Sequence, residues 1–210
     1  MKKAKAMRTG GKILHKILRE AAIEIHPGVN VLQVEAHVDA LFKKYNVKPS
    51  FKGYHGFPSS ICLSVNDQVV HGIPRDRILD QGDIISLDCG VFYDGYHTDS
   101  AITVPVGDRS LFEPNVLFLI EAAEESLDKA IKVIKDGIRI GEISHTIGSF
   151  LRKKGLRAAA DLGGHGIGKK IHDDPYIANE GPSNYGMTLK EGMTIAIEPM
   201  INFGTREVVL

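Results

Sequence analysis

The stretch IHPGVNVLQVEAHVDALFKKYNVKPS at 25–50 can be laid over IKDGIRIGEISHTIGSFLRKKGLRAA at 134–159 without a gap. Gly28 then meets Gly137, Val29 meets Ile138, Val38 meets Ile147 and Phe42 meets Leu151. Further along, with one residue inserted, LDQGDIISLDCGV at 79–91 lies over LKEGMTIAIEPMI at 189–201, so that Gly82 meets Gly192 and Asp88 meets Glu198. The same offset places His55-Gly56 on His165-Gly166. A repeat of about 110 residues is too long for a solenoid or propeller, whose periods run roughly 20–50. It reads instead as two related halves, about 1–108 and 109–210, forming one domain over residues 1–210.

Each half predicts two helices followed by strands. Ile13, Ile17, Leu18, Ala21 and Ile25 fall on one face of a helix over 13–25. Asn30 with Gln33 forms a variant of the capping box, and Val34, Val38, Leu41, Phe42 and Tyr45 continue as a buried stripe. In the second half Leu117, Ile120, Leu127, Ala130, Ile131 and Ile134 mark one helix; Ile143, Ile147, Phe150 and Leu151 mark the next, which Gly155 ends. Strands are predicted near 61–66, 83–92, 96–104 and 193–201, where β-branched and aromatic residues gather between turns. The expected architecture is α+β, with the halves related by a pseudo-twofold axis and a site between the sheets, where Asp88 and Glu198 face each other.

Composition narrows the function classes. The 26 basic residues balance the 26 acidic ones, which argues against a nucleic-acid binder acting through bulk charge and against a polybasic membrane anchor. No apolar run approaches the roughly 20 residues that span a bilayer. The N-terminal stretch MKKAKAMRTGGKILHKILRE is basic without a continuous apolar core, so no secretory signal is expected. The two cysteines, Cys62 and Cys89, form no CxxC pair; a disulfide scaffold is excluded and a cytoplasmic location is expected.

Four segments carry chemistry. In LDCGVFYDGYHTDSA at 87–101, Asp94-Gly95 is a two-residue hairpin signal that sets Asp88 opposite Ala101 and Asp99 opposite Gly90. The two aspartates then lie diagonally on one inward face, about 7 Å apart, and repel unless a positive charge sits between them. In GGHGIGKKIHDDP at 163–175, glycines around His165 allow the backbone to bend closely about a ligand or metal, and His172 follows seven residues later. The spacing is neither HExxH nor a zinc-finger pattern, and no phosphate-loop pattern is present. IEPM at 197–200 supplies Glu198, and HGIP at 71–74 supplies His71 before a turn at Pro74.

Together, in this order and at these spacings, HGIP, LDCGVFYDGYHTDSA, GGHGIGKKIHDDP and IEPM resemble the signature segments of the type I methionine aminopeptidases. The resemblance runs from KAMRTGGKI to the end of the chain. It implies the pita-bread fold, two α/β halves around a dinuclear metal site, and removal of an N-terminal initiator methionine before a small second residue. It also implies that Asp88, Asp99, His165 and Glu198 are metal ligands, with Asp99 bridging both ions. His71 and His172 match the family's substrate-contacting, catalytic histidines, and Tyr54 and Cys62 match positions lining the methionine pocket. Ile171 stands where some relatives carry an aromatic. The donors suit two divalent ions among Co, Mn, Fe and Zn without choosing between them, and the implied chemistry is attack by metal-activated water on the first peptide bond.

By the same resemblance the expected partners are nascent polypeptide N-termini and the ribosome surface, with no specific nucleic acid, no membrane and a monomeric chain. The alternatives are a proline dipeptidase-like pita-bread peptidase and a non-catalytic pita-bread binding module. The family pattern also includes a fifth ligand, a glutamate on a strand later than IEPM, whereas the sequence reaches only Leu210. The repeat raises the same question, since Asp88 has Asp99 on its hairpin partner and Glu198 has no counterpart. Glu207 is the nearby candidate, but a turn near Gly204 would put it on the face opposite Glu198. Weaker binding of the second ion, impaired activity and an exposed sheet edge at the Glu198 segment are the resulting expectations.

Overall fold

A computed structural model describes residues 2–209. The chain divides into two compact units. The first holds the chain up to Phe112 together with Gly168–Ile171; the second holds Glu113–Ile167 and the chain from His172 onward.

The first unit opens with α1 (Lys2–Ile23), which starts well before residue 13. Its inner face is Ala6, Gly10, Leu14, Ile17, Leu18 and Ala21. The first turns of that seam use small residues, which a search for large apolar side chains passes over. Leu14 rather than Ile13 takes the core position, and Ile25 is buried in the loop beyond the helix. Helix α2 (Val31–Lys44) begins at the expected capping box: the Asn30 side chain accepts from the Leu32 N–H at 2.9 Å and Gln33 Oε1 accepts from the Asn30 N–H at 3.1 Å. Strands β1 (Lys48–Pro49), β2 (Ile61–Val65), β3 (Ile84–Tyr93) and β4 (Tyr96–Pro105) form one antiparallel sheet. β3 pairs with β1 and β2 along one edge and with β4 along the other. Ile85, Leu87, Cys89 and Val91 point from β3 into the core shared with α1 and α2, each fully buried.

The second unit has α3 (Pro114–Lys132), α4 (Ile140–Lys153) and the strands β5 (Leu156–Ala158), β6 (Gly163–Gly166), β7 (Asp173–Ala178) and β8 (Ile201–Phe203). α4 buries Ile143, Ile147, Phe150 and Leu151 as expected, and Gly155 follows its C-cap with φ 73°. Of the stripe expected around α3, Ile120 and Ala130 are buried and Ile131 is not, while Ile134 lies beyond the helix. Ile120, Ala122, Ser126 and Ala130 are buried, while Ile131 is 52% and Ile134 38% exposed. Small residues at four-residue spacing, Ala122, Ser126 and Ala130, let α3 lie close along α4, and Ile131 turns outward. The pairings β5–β8 and β6–β7 are separate two-stranded ladders.

The strand expected over 193–201 is broken, and only Ile201–Phe203 runs as a strand. Ala196 and His165 exchange backbone hydrogen bonds at 2.8 and 3.2 Å, after which the chain changes partner and Met200 O accepts from the Ala159 N–H at 2.9 Å. Pro199, which has no N–H, sits at the change of partner.

The sequence repeat survives as geometry inside each unit. Helices α2 and α4 are both 14 residues long. In the first unit Gly28 N donates to Leu79 O and Leu79 N to Val29 O; in the second Gly137 N donates to Leu189 O and Leu189 N to Ile138 O. The isolated bridge Asn30–Ile78 likewise recurs as Arg139–Thr188. His55-Gly56 departs from the repeat. It lies in a short 3₁₀ turn, where His55 has φ 47°, whereas His165-Gly166 belongs to β6. Among the described residues no helix is long and apolar enough to cross a membrane.

Candidate metal centre

In the first unit the hairpin carries the candidate carboxylates in the expected register. Asp94 and Gly95 both have positive φ, 45° and 85°, as a two-residue turn of matching twist requires. Tyr93 faces Tyr96, Asp88 faces Ala101 and Gly90 faces Asp99. Asp88 and Asp99 therefore share a face of the sheet. That face is the one opposite the core formed with α1 and α2, and both aspartates are half-buried on it. On the same face Ser86 Oγ lies 2.8 Å from Thr103 Oγ1.

Cys62 lies directly opposite Asp88 on β2 and so shares its face. Its thiol is buried, and burial first, then the charges of Asp88 and Asp99, push its pKa up. Cys62 packs with Phe51 and Ile171, and Tyr54 and Phe57 lean on the same cluster. Two resemblance-derived pocket positions, Tyr54 and Cys62, thus meet in one apolar cluster beside Asp88. Phe51 and Phe57 join them unforeseen, because a lone phenylalanine in a loop carries no periodic signal. The fifth member, Ile171, comes from the segment 168–171, whose Gly168 O accepts from the His97 N–H at 2.8 Å.

His71 is exposed, with φ 57°, a left-handed conformation uncommon outside glycine. Gly72 holds it there. Gly72 O accepts from Leu63 N–H at 2.8 Å, Gly72 N donates to Ser64 Oγ at 3.0 Å, and a Cβ on Gly72 would fall 2.3 Å from Leu63 O. HGIP is thereby stitched to β2.

In the second unit His165, His172 and Glu198 come together. The rings of His165 and His172 meet edge to face with centroids 4.3 Å apart, and His165 Nε2 lies 3.1 Å from Glu198 Oε1. His165 Nδ1 lies 2.8 Å from the carbonyl oxygen of Gly166. A carbonyl only accepts, so Nδ1 carries the proton, and in the neutral ring Nε2 presents a lone pair to the carboxylate. The glycines flanking His165 do different work from that expected. Added Cβ atoms on Gly164 and Gly166 would lie 2.1 Å from Ala196 O and Asp174 O, so these residues let neighbouring backbone close in on β6 rather than making room for a ligand. Asn179, missed in the sequence, is 2% exposed and donates from Nδ2 to Glu198 O at 2.7 Å. Glu207 lies in the exposed stretch after β8, its N–H bonded to Thr205 Oγ1.

Residues 5–209 match the profile of metallopeptidase family M24. The chain belongs to that family. Methionine aminopeptidase 1 of Bacillus subtilis is 44% identical over 202 residues, spanning 96% of this chain and 80% of that protein. The crystal structure of a methionine aminopeptidase from Thermotoga maritima superposes with a TM-score of 0.96 at 41% identity, covering 100% of this chain and 83% of that one. A prolidase from Pyrococcus furiosus superposes at 0.81 with 25% identity, covering 94% and 56%. As an M24 member the chain has the α+β pita-bread fold and is a divalent-metal peptidase.

The residues present fit a cation. Glu198 Oε1 is buried and accepts no hydrogen bond among the described residues. A carboxylate oxygen and an imidazole lone pair 3.1 Å apart repel until a proton or a metal ion lies between them. The hairpin adds two half-buried carboxylates on one face, and hard oxygen donors with imidazole suit first-row divalent metals.

Proposed function

We propose that this M24 chain is a methionine aminopeptidase, removing the initiator methionine from nascent chains whose second residue is small. The observation that carries the reading is the apolar cluster of Phe51, Cys62 and Ile171, with Tyr54 and Phe57 against it, on the face of the sheet that bears Asp88. A methionine thioether gains mainly by burial and asks for few hydrogen bonds, which such a cluster offers. Several relatives at 37–44% identity bear the name methionine aminopeptidase, whereas the prolidase likeness is more distant, which favours this reading over the dipeptidase.

Asp88, Asp99, His165 and Glu198 would hold two divalent ions, drawn from Co, Mn, Fe and Zn. Metal held there would supply Lewis acidity, lowering the pKa of water and polarising the first peptide carbonyl. The carboxylates would balance the metal charge, and the Gly166 carbonyl holds the His165 ring with Nε2 directed at Glu198. His71 and His172, both exposed, contact the substrate and handle the proton that the leaving amine needs.

Nascent chains place the substrate at the ribosome in the cytoplasm. Lys5, Arg8, Lys12, Lys16 and Arg19 form an exposed stripe at helical spacing along α1, whose first acidic residue is Glu20, and this supports docking on that RNA-rich surface. The test is to load the purified chain with Mn²⁺ or Co²⁺ and offer Met-Ala-Ser, Lys-Ala-Ser and Ala-Pro. Release of methionine from the first peptide alone is expected. Equal turnover of Ala-Pro would make it a dipeptidase, and failure to take up metal would make it a binding module.

A further inference from the structure

We propose that Asn179 is a positioning residue for Glu198, acting through the main chain of both segments that carry the second unit's ligands; the inference rests on the reading of His165 and Glu198 as metal ligands. Asn179 follows the last residue of β7 and is 2% exposed. Its Nδ2 donates to Glu198 O at 2.7 Å and reaches Leu162 O at 3.4 Å. Both neighbours are carbonyls, so the amide nitrogen, not its oxygen, faces them. Leu162 immediately precedes β6, whose third residue is His165. One side-chain nitrogen thus ties the start of the His165 strand to the backbone of Glu198.

The tie sits where the backbone ladder is broken. Ala196 is held by His165, and Met200 O by the Ala159 N–H. Between them stands Glu198, followed by Pro199, which has no N–H to offer. Asn179 supplies the hydrogen bond for the Glu198 carbonyl, and the orientation of that peptide sets the direction of the Glu198 side chain. Both of these Asn179 contacts are with main-chain carbonyls, so the role proposed works through the backbone and not through a ligand side chain.

Stability alone does not account for an asparagine here. Its Oδ1 is buried and has no hydrogen-bond partner among the described residues. A leucine of similar volume would leave no polar atom of its own stranded, and burying an unsatisfied acceptor is unfavourable. The amide is kept despite that cost, and what it uniquely offers is the N–H to Glu198 and Leu162.

The test compares the wild-type chain with N179L and N179S, each stripped of metal and titrated calorimetrically with Mn²⁺, and with Co²⁺ while the visible spectrum is recorded. Supports of metal ligands typically shift affinity by about 10–100-fold, so N179L should lose that much, with an altered Co²⁺ spectrum. N179S, with a shorter donor, should fall between the two. Melting temperatures without metal separate folding from positioning, and N179L should melt within a few degrees of wild type. If N179L does not fold, N179S alone decides. Wild-type affinity in the folded variant, with an unchanged Co²⁺ spectrum, would overturn the positioning role. Absence of Mn²⁺ uptake by the wild-type chain would instead remove the metal reading on which it rests.

Discussion

The two units share a sequence repeat yet hold their candidate ligands by different means. In the first, Asp88 and Asp99 ride on one hairpin of two ten-residue strands, and the register of that hairpin sets both side chains at once. In the second, His165 sits on a four-residue strand and Glu198 on a segment that is not a strand at all. What holds them is a set of individual contacts: backbone bonds between His165 and Ala196, the Gly166 carbonyl on the imidazole, and Asn179 under Glu198. A ladder shares the work of positioning over many equivalent bonds, so removing one shifts little. A site built from single contacts depends on each of them, and that difference is open to measurement.

The largest expected effect comes from breaking a ligand on either side. Asp99→Asn keeps the shape of the side chain and removes its charge; His165→Ala removes the ring. Each should lower hydrolysis of Met-Ala-Ser by more than about a hundredfold, beyond the range expected for residues that only support a ligand. Steady-state kinetics at saturating Mn²⁺ checks this. If Asp99→Asn kept more than a tenth of the rate, the hairpin would be scaffolding and the chemistry would belong to the second unit alone.

The same contrast explains what could be read in the sequence. The hairpin was legible because Asp94-Gly95 names its turn, and the turn sets every pair from Tyr93–Tyr96 to Asp88–Ala101. Asn30 with Gln33 was legible for the same reason, since capping is a local matter of two side chains and two N–H groups. Alternation also told that Asp88 and Asp99 share a face apart from Ile85, Leu87, Cys89 and Val91, though not which elements pack on each face. Burial on α3 was legible at Ile120 and Ala130 and missed at Ala122 and Ser126, small residues that hydrophobic spacing passes over in favour of Ile131. Asn179 and the switch of partner near Pro199 were illegible, since both depend on which segments lie side chain against backbone across distant stretches.

A second, smaller effect separates the units by pH. Both cysteines lie in the first unit, and burial followed by the charges of Asp88 and Asp99 raises both thiols. An unfolded cysteine ionises at about pH 8.5. Below that value both states are protonated and the stability is fully present. Above it the unfolded chain releases protons that the folded chain keeps, so stability falls as pH rises. The slope is about 1.4 kcal/mol per pH unit for each thiol. Urea melts of the metal-free chain at pH 7.5, 8.5 and 9.5 should show the decline, and Cys89→Ala should roughly halve it. Parallel curves for wild type and Cys89→Ala would mean that the buried thiol does not couple to folding.

The smallest effect compares the equivalent helices α2 and α4. Both are 14 residues long and begin at repeat-equivalent positions, yet only α2 has a side-chain cap. Asn30 and Gln33 satisfy two backbone donors at the start of α2, and Asn30 Nδ2 also donates to Asp76 Oδ1 at 2.6 Å. At the matching position of α4, Arg139 makes no capping bond; its side chain donates instead to Gly186 O at 2.8 Å, and the N–H groups of Ile140 and Gly141 go to Met187 O and Tyr185 O. The first N–H of each helix thus goes to a loop carbonyl, Val31 to Arg77 O and Ile140 to Met187 O, whereas the second goes to the Asn30 cap in α2 and to the loop at Tyr185 O in α4. Asn30→Ala should destabilise the chain by about 1 kcal/mol, the usual worth of an N-cap. Arg139→Ala removes one exposed hydrogen bond and should stay within about 0.5 kcal/mol, as most surface substitutions do. Denaturant titration of both variants resolves the difference. Equal losses would show that Arg139 serves α4 as a cap through Gly186, and that the helix starts have kept the same energetics despite their different chemistry.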